Sequence, residues 1–124
     1  MKSYSEAEVL AIVRLEASRL GLRLWRNNVG ATYTEKGAFI RYGLANDSKN
    51  INEIIKSADL IGIRPILIKP EHVGLVIGQF VSREIKPTGW KYRGSEREVA
   101  QMEWANLIIT LGGDAAIVTG EGSF

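Results

Sequence analysis

Apolar residues recur along this chain in two rhythms. Leu10, Val13, Ala17 and Leu20 stand three and four apart, the spacing of one helix face. Ser5-Glu6-Ala7-Glu8 opens that stretch as a capping box, with Ser5 at the N-cap and Glu8 three residues on, and Gly21 stops it. Arg14 and Arg19 fall off the apolar stripe. A second helix is predicted after Ser95-Glu96-Arg97-Glu98, another capping box, and runs to Leu111 before Gly112-Gly113. On it, Gln101 shares a side with Arg97, Trp104, Ala105 and Ile108. A glutamine on the stripe that packs against a sheet needs hydrogen-bond partners. The alternative is a boundary glutamine half in water.

The other rhythm is the period of two, or a short apolar run, of β-strands. Leu22 to Trp25 alternates and predicts a short strand, followed by a turn-prone Asn27-Asn28-Val29-Gly30. Residues 31–35 and 38–42 flank Lys36-Gly37 as a hairpin. Residues 43–56 are polar and irregular, with one helical turn near Asn52 to Ile55. Asp59 opens a short strand to Ile63, residues 65–68 continue extended, and residues 70–74 read as a loop. Val76 to Lys86 reads as one long central strand with Gly78 as a bulge or turn, ended by Pro87 and Gly89. A last strand covers Ala115 to Thr119 and a tail covers residues 120–124. The order is helix, strands, helix, strand. It predicts a right-handed βαβ unit at the C-terminal end and a mixed α/β sheet flanked by helices.

With 124 residues the chain reads as a single domain, 1–124, and folding at this mass buries about two-thirds of the accessible surface. There is no cysteine and only one histidine, which excludes disulfides, thiolate sites and zinc sites built on histidine clusters. No stretch is apolar enough to cross a bilayer and the N-terminus lacks the pattern of a secretion signal, so the expected location is the cytoplasm, without a membrane partner. The net charge of +2 is weakly compatible with a polyanionic partner. Its distribution is more telling. Arg14, Arg19, Arg23 and Arg26 cluster early, and Lys86, Lys91, Arg93 and Arg97 cluster late, interleaved with Trp90 and Tyr92. Basic residues beside aromatics in a loop can grip phosphates and stack on bases; a solvated charged rim would look the same.

The chemistry-bearing segment is Ser82-Arg83-Glu84-Ile85-Lys86-Pro87. Strand alternation puts Phe80, Ser82, Glu84 and Lys86 on one face and Val81, Arg83 and Ile85 on the other. A carboxylate beside an ammonium could hold a divalent metal and orient a water, or be a surface ion pair worth at most about 1 kcal/mol. Asp59 heads a strand expected to pair with the Glu84 strand. Two carboxylates brought close repel unless a cation sits between them, and oxygen ligands suit magnesium or manganese. Such an ion polarises a phosphoryl oxygen and acidifies a bound water. Metal-assisted phosphodiester hydrolysis fits these parts better than acyl transfer, because no histidine base or activated serine is evident.

Asp59, then Glu84-Ile85-Lys86, then Gln101 resembles the signature of the PD-(D/E)xK nuclease superfamily. Within it the chain is similar to a stand-alone virus-type replication-repair nuclease (VRR-NUC) domain of the kind common in phages and prophages. Trp25-Arg26-Asn27-Asn28, Arg41-Tyr42-Gly43, Ser57-Ala58-Asp59-Leu60-Ile61-Gly62 and Gly78-Gln79-Phe80 stand in that family's order, and the resemblance covers nearly the whole chain. It implies a restriction-endonuclease-like core that cuts DNA with Mg2+ or Mn2+. Asp59, Glu84 and the Ile85 carbonyl would ligate the metal, Lys86 would act on the attacking water, and Gln101 would assist. A first-helix acid would join them: Glu6 by choice, with Glu8 and Glu16 as alternatives. Arg26, Asn27 and Asn28 would lie near the site or the DNA backbone, and Lys91, Tyr92 and Arg93 would contact DNA. The resemblance further implies a homodimer acting on branched, flapped or Holliday-junction DNA, in the host cytoplasm if phage-encoded. Three departures stand out. Ala58 replaces the usual proline or serine, Arg83 occupies a position often small or apolar, and residues 64–77 form a long connection. The alternatives are a non-catalytic DNA-binding module that retains the fold, and a structural phage protein with no nucleic-acid role.

Overall fold

The computed structural model describes residues 3–120 and 122–124; Glu121, within the expected tail, lies outside them. Among the described residues the protein is a mixed α/β structure of three α-helices and three small two-stranded sheets. It packs as two compact units, Met1–Gly62 and Ile63–Phe124.

The first unit starts with α1 (Glu6–Arg19). Ser5 caps it as expected, its Oγ accepting from the Glu8 N–H at 3.2 Å. The reciprocal half of the box differs, because the Glu8 carboxylate accepts from the Ser5 hydroxyl. Ala17 is buried and Leu10 half-buried, whereas Val13 and Leu20 of the same stripe are exposed. The helix packs on β1 (Arg23–Arg26), which is hydrogen-bonded to β4 (Leu60–Ile63). Pairing of the Asp59-headed strand with the Glu84 strand was the expectation; β4 takes β1 instead.

Gly62 makes that pairing feasible, since a Cβ there would fall 1.9 Å from the Arg23 carbonyl oxygen. Between these strands lie the hairpin β2 (Gly30–Tyr33) and β3 (Phe39–Tyr42) and the short α2 (Lys49–Ile54). The hairpin register pairs Tyr33 with Phe39 and Gly30 with Tyr42, as an antiparallel ladder around the expected Lys36-Gly37 turn. The helical turn expected near Asn52 begins earlier, because Ser48 caps it by accepting from the Ile51 N–H at 3.2 Å.

The second unit is a β-α-β unit. β5 (Val81–Ile85) runs parallel to β6 (Asp114–Val118), joined through α3 (Glu96–Thr110), which packs on both strands. β5 is shorter than the Val76–Lys86 strand that apolarity suggests. A strand extends only as far as its partner, and β6 offers five residues; Val76 is fully exposed. One bond beyond each end, Asp114 N–H to the Phe80 carbonyl and Lys86 N–H to the Val118 carbonyl, completes the ladder. In the preceding connection, Pro70–His72 forms a single 3-10 turn.

The stripe of α3 behaves as its spacing predicts, with Ala105 and Ile108 buried and Gln101 half-buried. Its capping box is complete: Ser95 Oγ accepts from Glu98 N–H and Glu98 Oε1 accepts from Ser95 N–H. Arg83, on the far face of β5, donates through Nη2 to Asp114 Oδ2 at 2.8 Å and through Nη1 to the Ser82 and Asp114 carbonyls. Its guanidinium also lies 4.8 Å over the Phe124 ring and reaches the Ser123 carbonyl. The departure at Arg83 is thus a tie between the two strands and the tail.

Two consequences can be measured. Gly62→Ala puts a methyl group into backbone, which no rotamer change relieves, and the first unit should lose about 2 kcal/mol or more in urea unfolding. The second concerns acid. The Ser95 N–H holds the Glu98 carboxyl below its ordinary 4.5, against desolvation, which pushes it up, and with help from the Arg93 N–H. Arg83 holds Asp114 below its ordinary 3.8, again against desolvation. Both groups therefore bind protons more readily when unfolded, so their stabilisation is complete above those values and is lost as pH falls through the lower folded ones. The melting temperature should fall as pH drops below 4.5 and then 3.8. Asp114→Asn should have a lower melting temperature at neutral pH and a shallower acid decline.

Candidate functional site

In the first unit, the connection from β1 carries a hub. Asn27 donates its side-chain amide to Ser57 Oγ at 2.7 Å and to the Ala58 carbonyl at 2.9 Å, and its Oδ1 accepts from the Leu44 N–H at 3.5 Å. Its backbone N–H donates to the Asp59 carbonyl at 2.8 Å, and Ser57 Oγ donates to the Leu44 carbonyl at 2.7 Å. Both ends of the Asn27 side chain are engaged within the protein, and of the two expected places, near the site or at the DNA backbone, the cavity it shares with Asp59 matches the first. Its effect is to fix the backbone that presents Asp59.

Asp59 lines a cavity of about 690 Å3 together with Glu6, Arg26, Asn27, Asn28 and Tyr42. Of the three first-helix acids, Glu6 is the one that reaches it; Glu8 is engaged by the Ser5 hydroxyl. This cavity thus joins five residues nominated from sequence. Tyr42 is an addition. Gly30 makes room for it, because a Cβ at Gly30 would lie 2.4 Å from the Tyr42 hydroxyl oxygen. Asn46, only 3 % exposed, sets this corner by donating to the Gly30 and Tyr42 carbonyls at 2.7 and 3.0 Å while accepting from Arg41 at 3.2 Å. The hairpin register carries a signal for Tyr42, since Arg41 and Tyr42 must point to opposite faces. Nothing in the local sequence marks Asn46.

In the second unit, alternation on β5 puts Ser82, Glu84 and Lys86 on one face. Ser82 Oγ accepts from the Trp104 indole at 2.8 Å. Glu84 Oε1 accepts from Gln101 Nε2 at 2.9 Å and lies 3.9 Å from Lys86 Nζ. An ionised carboxylate only accepts, so the Gln101 amide must turn its NH2 group towards Glu84. That leaves Gln101 Oε1 buried with no hydrogen-bond partner. Gln101 also lines a cavity of about 290 Å3 with Ser82, Glu84, Arg97 and Trp104. The Lys86 side chain is 15 % exposed against 42 % for Glu84, so the cation is the more enclosed partner. Lys86 Nζ also stands 5.5 Å from the centroid of the Trp90 ring.

Ile85 lies on the opposite face of β5 and is exposed. Lys91, Tyr92 and Arg93 form an exposed run between β5 and α3, with the Tyr92 ring edge-on to Trp90 at 6.5 Å. Among the described residues, no three His, Cys, Asp or Glu side chains gather as a ready-made metal cage. Magnesium does not demand one, because it keeps several waters and takes one or two carboxylates. The donors present are of that class: Glu6 with Asp59 in one unit, and Glu84 in the other. The unpartnered acceptor of Gln101 fits a donor such as a coordinated water.

Comparison with known proteins finds no matching family model, no similar curated protein and no similar solved structure. Among the described residues no helix is long and apolar enough to cross a membrane.

The Asn27 hub leads to a specific expectation. Asn27→Ala removes the bonds to Ser57, the Ala58 carbonyl and the Leu44 N–H, and should cost about 1 kcal/mol in chemical unfolding. It should also shift the backbone amide resonance of Asp59. Asn28→Ala, at an exposed position, should do neither.

Proposed function

We propose that this protein is a magnesium- or manganese-dependent endonuclease that hydrolyses phosphodiester bonds in DNA, built on a restriction-endonuclease-like core. The observation that carries the reading is the Glu84 carboxylate held between the Gln101 amide and the Lys86 ammonium, beside a buried acceptor that lacks a donor. An ordinary surface ion pair needs no such glutamine. Glu84, with the Ile85 carbonyl, is what the second unit offers to a divalent cation; Asp59 and Glu6 are what the first unit offers. The cation, when bound, would polarise the phosphoryl group and acidify the attacking water.

The chain's own residues have separate tasks. Gln101 fixes one oxygen of Glu84 and so the direction of the other. Lys86 places a positive charge where negative charge develops on the phosphoryl oxygens, in a spot largely shielded from water. Its ammonium can also donate to the attacking water and orient it. Arg26 and Asn28 line the Asp59 cavity, where they can hold backbone phosphates. Lys91, Tyr92 and Arg93 supply charge and an aromatic face for a strand passing over the loop. Branched, flapped or four-way-junction DNA, cut by a homodimer, is the substrate class that the sequence resemblance suggests.

Purified protein should cleave such DNA with magnesium or manganese and not with chelator. Asp59→Ala, Glu84→Ala and Lys86→Ala should each lower the rate by about 10²-fold or more. Salt-sensitive DNA binding without cleavage under any divalent ion would favour the non-catalytic module instead.

A further inference from the structure

One carboxylate organises the loop that follows the Lys86 strand. Glu98 is 7 % exposed, and beyond its own capping box it accepts from the Arg93 N–H at 3.1 Å. The Trp90 backbone N–H closes the turn by donating to the Pro87 carbonyl at 3.1 Å. In the turn so closed, the Trp90 ring stands 5.5 Å from Lys86 Nζ and edge-on to the Tyr92 ring.

A lysine side chain has four rotatable bonds and a freely turning ammonium, so a single partner at 3.9 Å does not fix it. The face of an indole attracts a cation, and more strongly where water is scarce. Two attractive surfaces in different directions, the Glu84 oxygen and the ring face, hold the ammonium in one place. A helix cap alone would not require the Arg93 bond to Glu98.

We propose that Trp90, in the loop that Glu98 holds through the Arg93 N–H, is a positioning residue for Lys86, presenting its ammonium to the reacting phosphate. The proposal rests on the reading of Lys86 as the group that acts on the attacking water. The geometric half of it stands apart from any activity.

Two measurements on the full chain separate them. The side-chain methylene protons of Lys86 should resonate upfield of ordinary lysine because of the indole ring current. Trp90→Leu should return them to ordinary values, Trp90→Phe should keep part of the shift, and Glu98→Gln should reduce it by loosening the loop. Circular dichroism and melting identify any variant that does not fold, and the Trp90→Phe comparison then carries the test. In cleavage of a flapped duplex with magnesium, Trp90→Leu should lower kcat by about tenfold with KM nearly unchanged, and Trp90→Phe should recover most of it.

Unshifted Lys86 resonances in the wild type, or an unchanged shift in folded Trp90→Leu, would overturn the proposal. So would a Trp90→Leu effect on KM alone. If the wild type shows the ring-current shift but cleaves no DNA, the nuclease reading fails while the placement of Lys86 by Trp90 stands.

Discussion

An anionic carboxylate beside an ammonium on the same strand face would normally be a loose pair in water, free to part. Here Glu84 is prevented from doing so by an amide that comes from another element altogether. The Gln101 bond depends on the parallel β5–β6 ladder and on α3 crossing both strands, with Ala105 and Ile108 pressed against the sheet. The small apolar residues of α3 set how closely the helix approaches, and that approach decides whether an amide can span to a strand carboxylate. Packing of a few methyl groups therefore governs the electrostatics of the site.

The first unit solves a similar problem by other means. Among the described residues it buries little apolar side chain outright, and its loops are held by polar side chains. Asn27 and Asn46 each satisfy several backbone groups, and each ties two distant segments together. Such amides are rigid spacers: planar, with donors on one end and an acceptor on the other. They explain how Asp59, an exposed residue at the start of a four-residue strand, keeps a defined position relative to Glu6 and Arg26.

Arg83 and Glu98 show how charge serves architecture beside chemistry. Both are adjacent to, or on, the elements that carry the site, and both satisfy several main-chain groups at once. Arg83 draws the start of β6 and the tail onto the back of β5, leaving the front to Ser82, Glu84 and Lys86. Glu98 shapes the basic, aromatic loop. Neither could be replaced by an apolar residue without stranding those groups.

Periodicity and capping signals were enough for α1 and α3, the hairpin and its turn, the β-α-β order, and the common face of Ser82, Glu84 and Lys86. These are local properties: side-chain facing repeats every two or 3.6 residues whatever surrounds the chain, and Ser95 and Glu98 are close enough to cap on their own. The need of Gln101 for a partner was legible for the same reason, from its place on the stripe. The ends of β5, the choice of β1 as the partner of β4, and the inward use of Asn27 were not. Each depends on which segment lies opposite, and strand apolarity carries no information about the partner's length or identity. The same holds for Asn46 and Tyr42, whose places arise only when segments distant in sequence fold against them. Local facing was written in the order of residues; hydrogen-bond partners across long separations were decided by the packed chain, because only there does burying a polar group force it to find one.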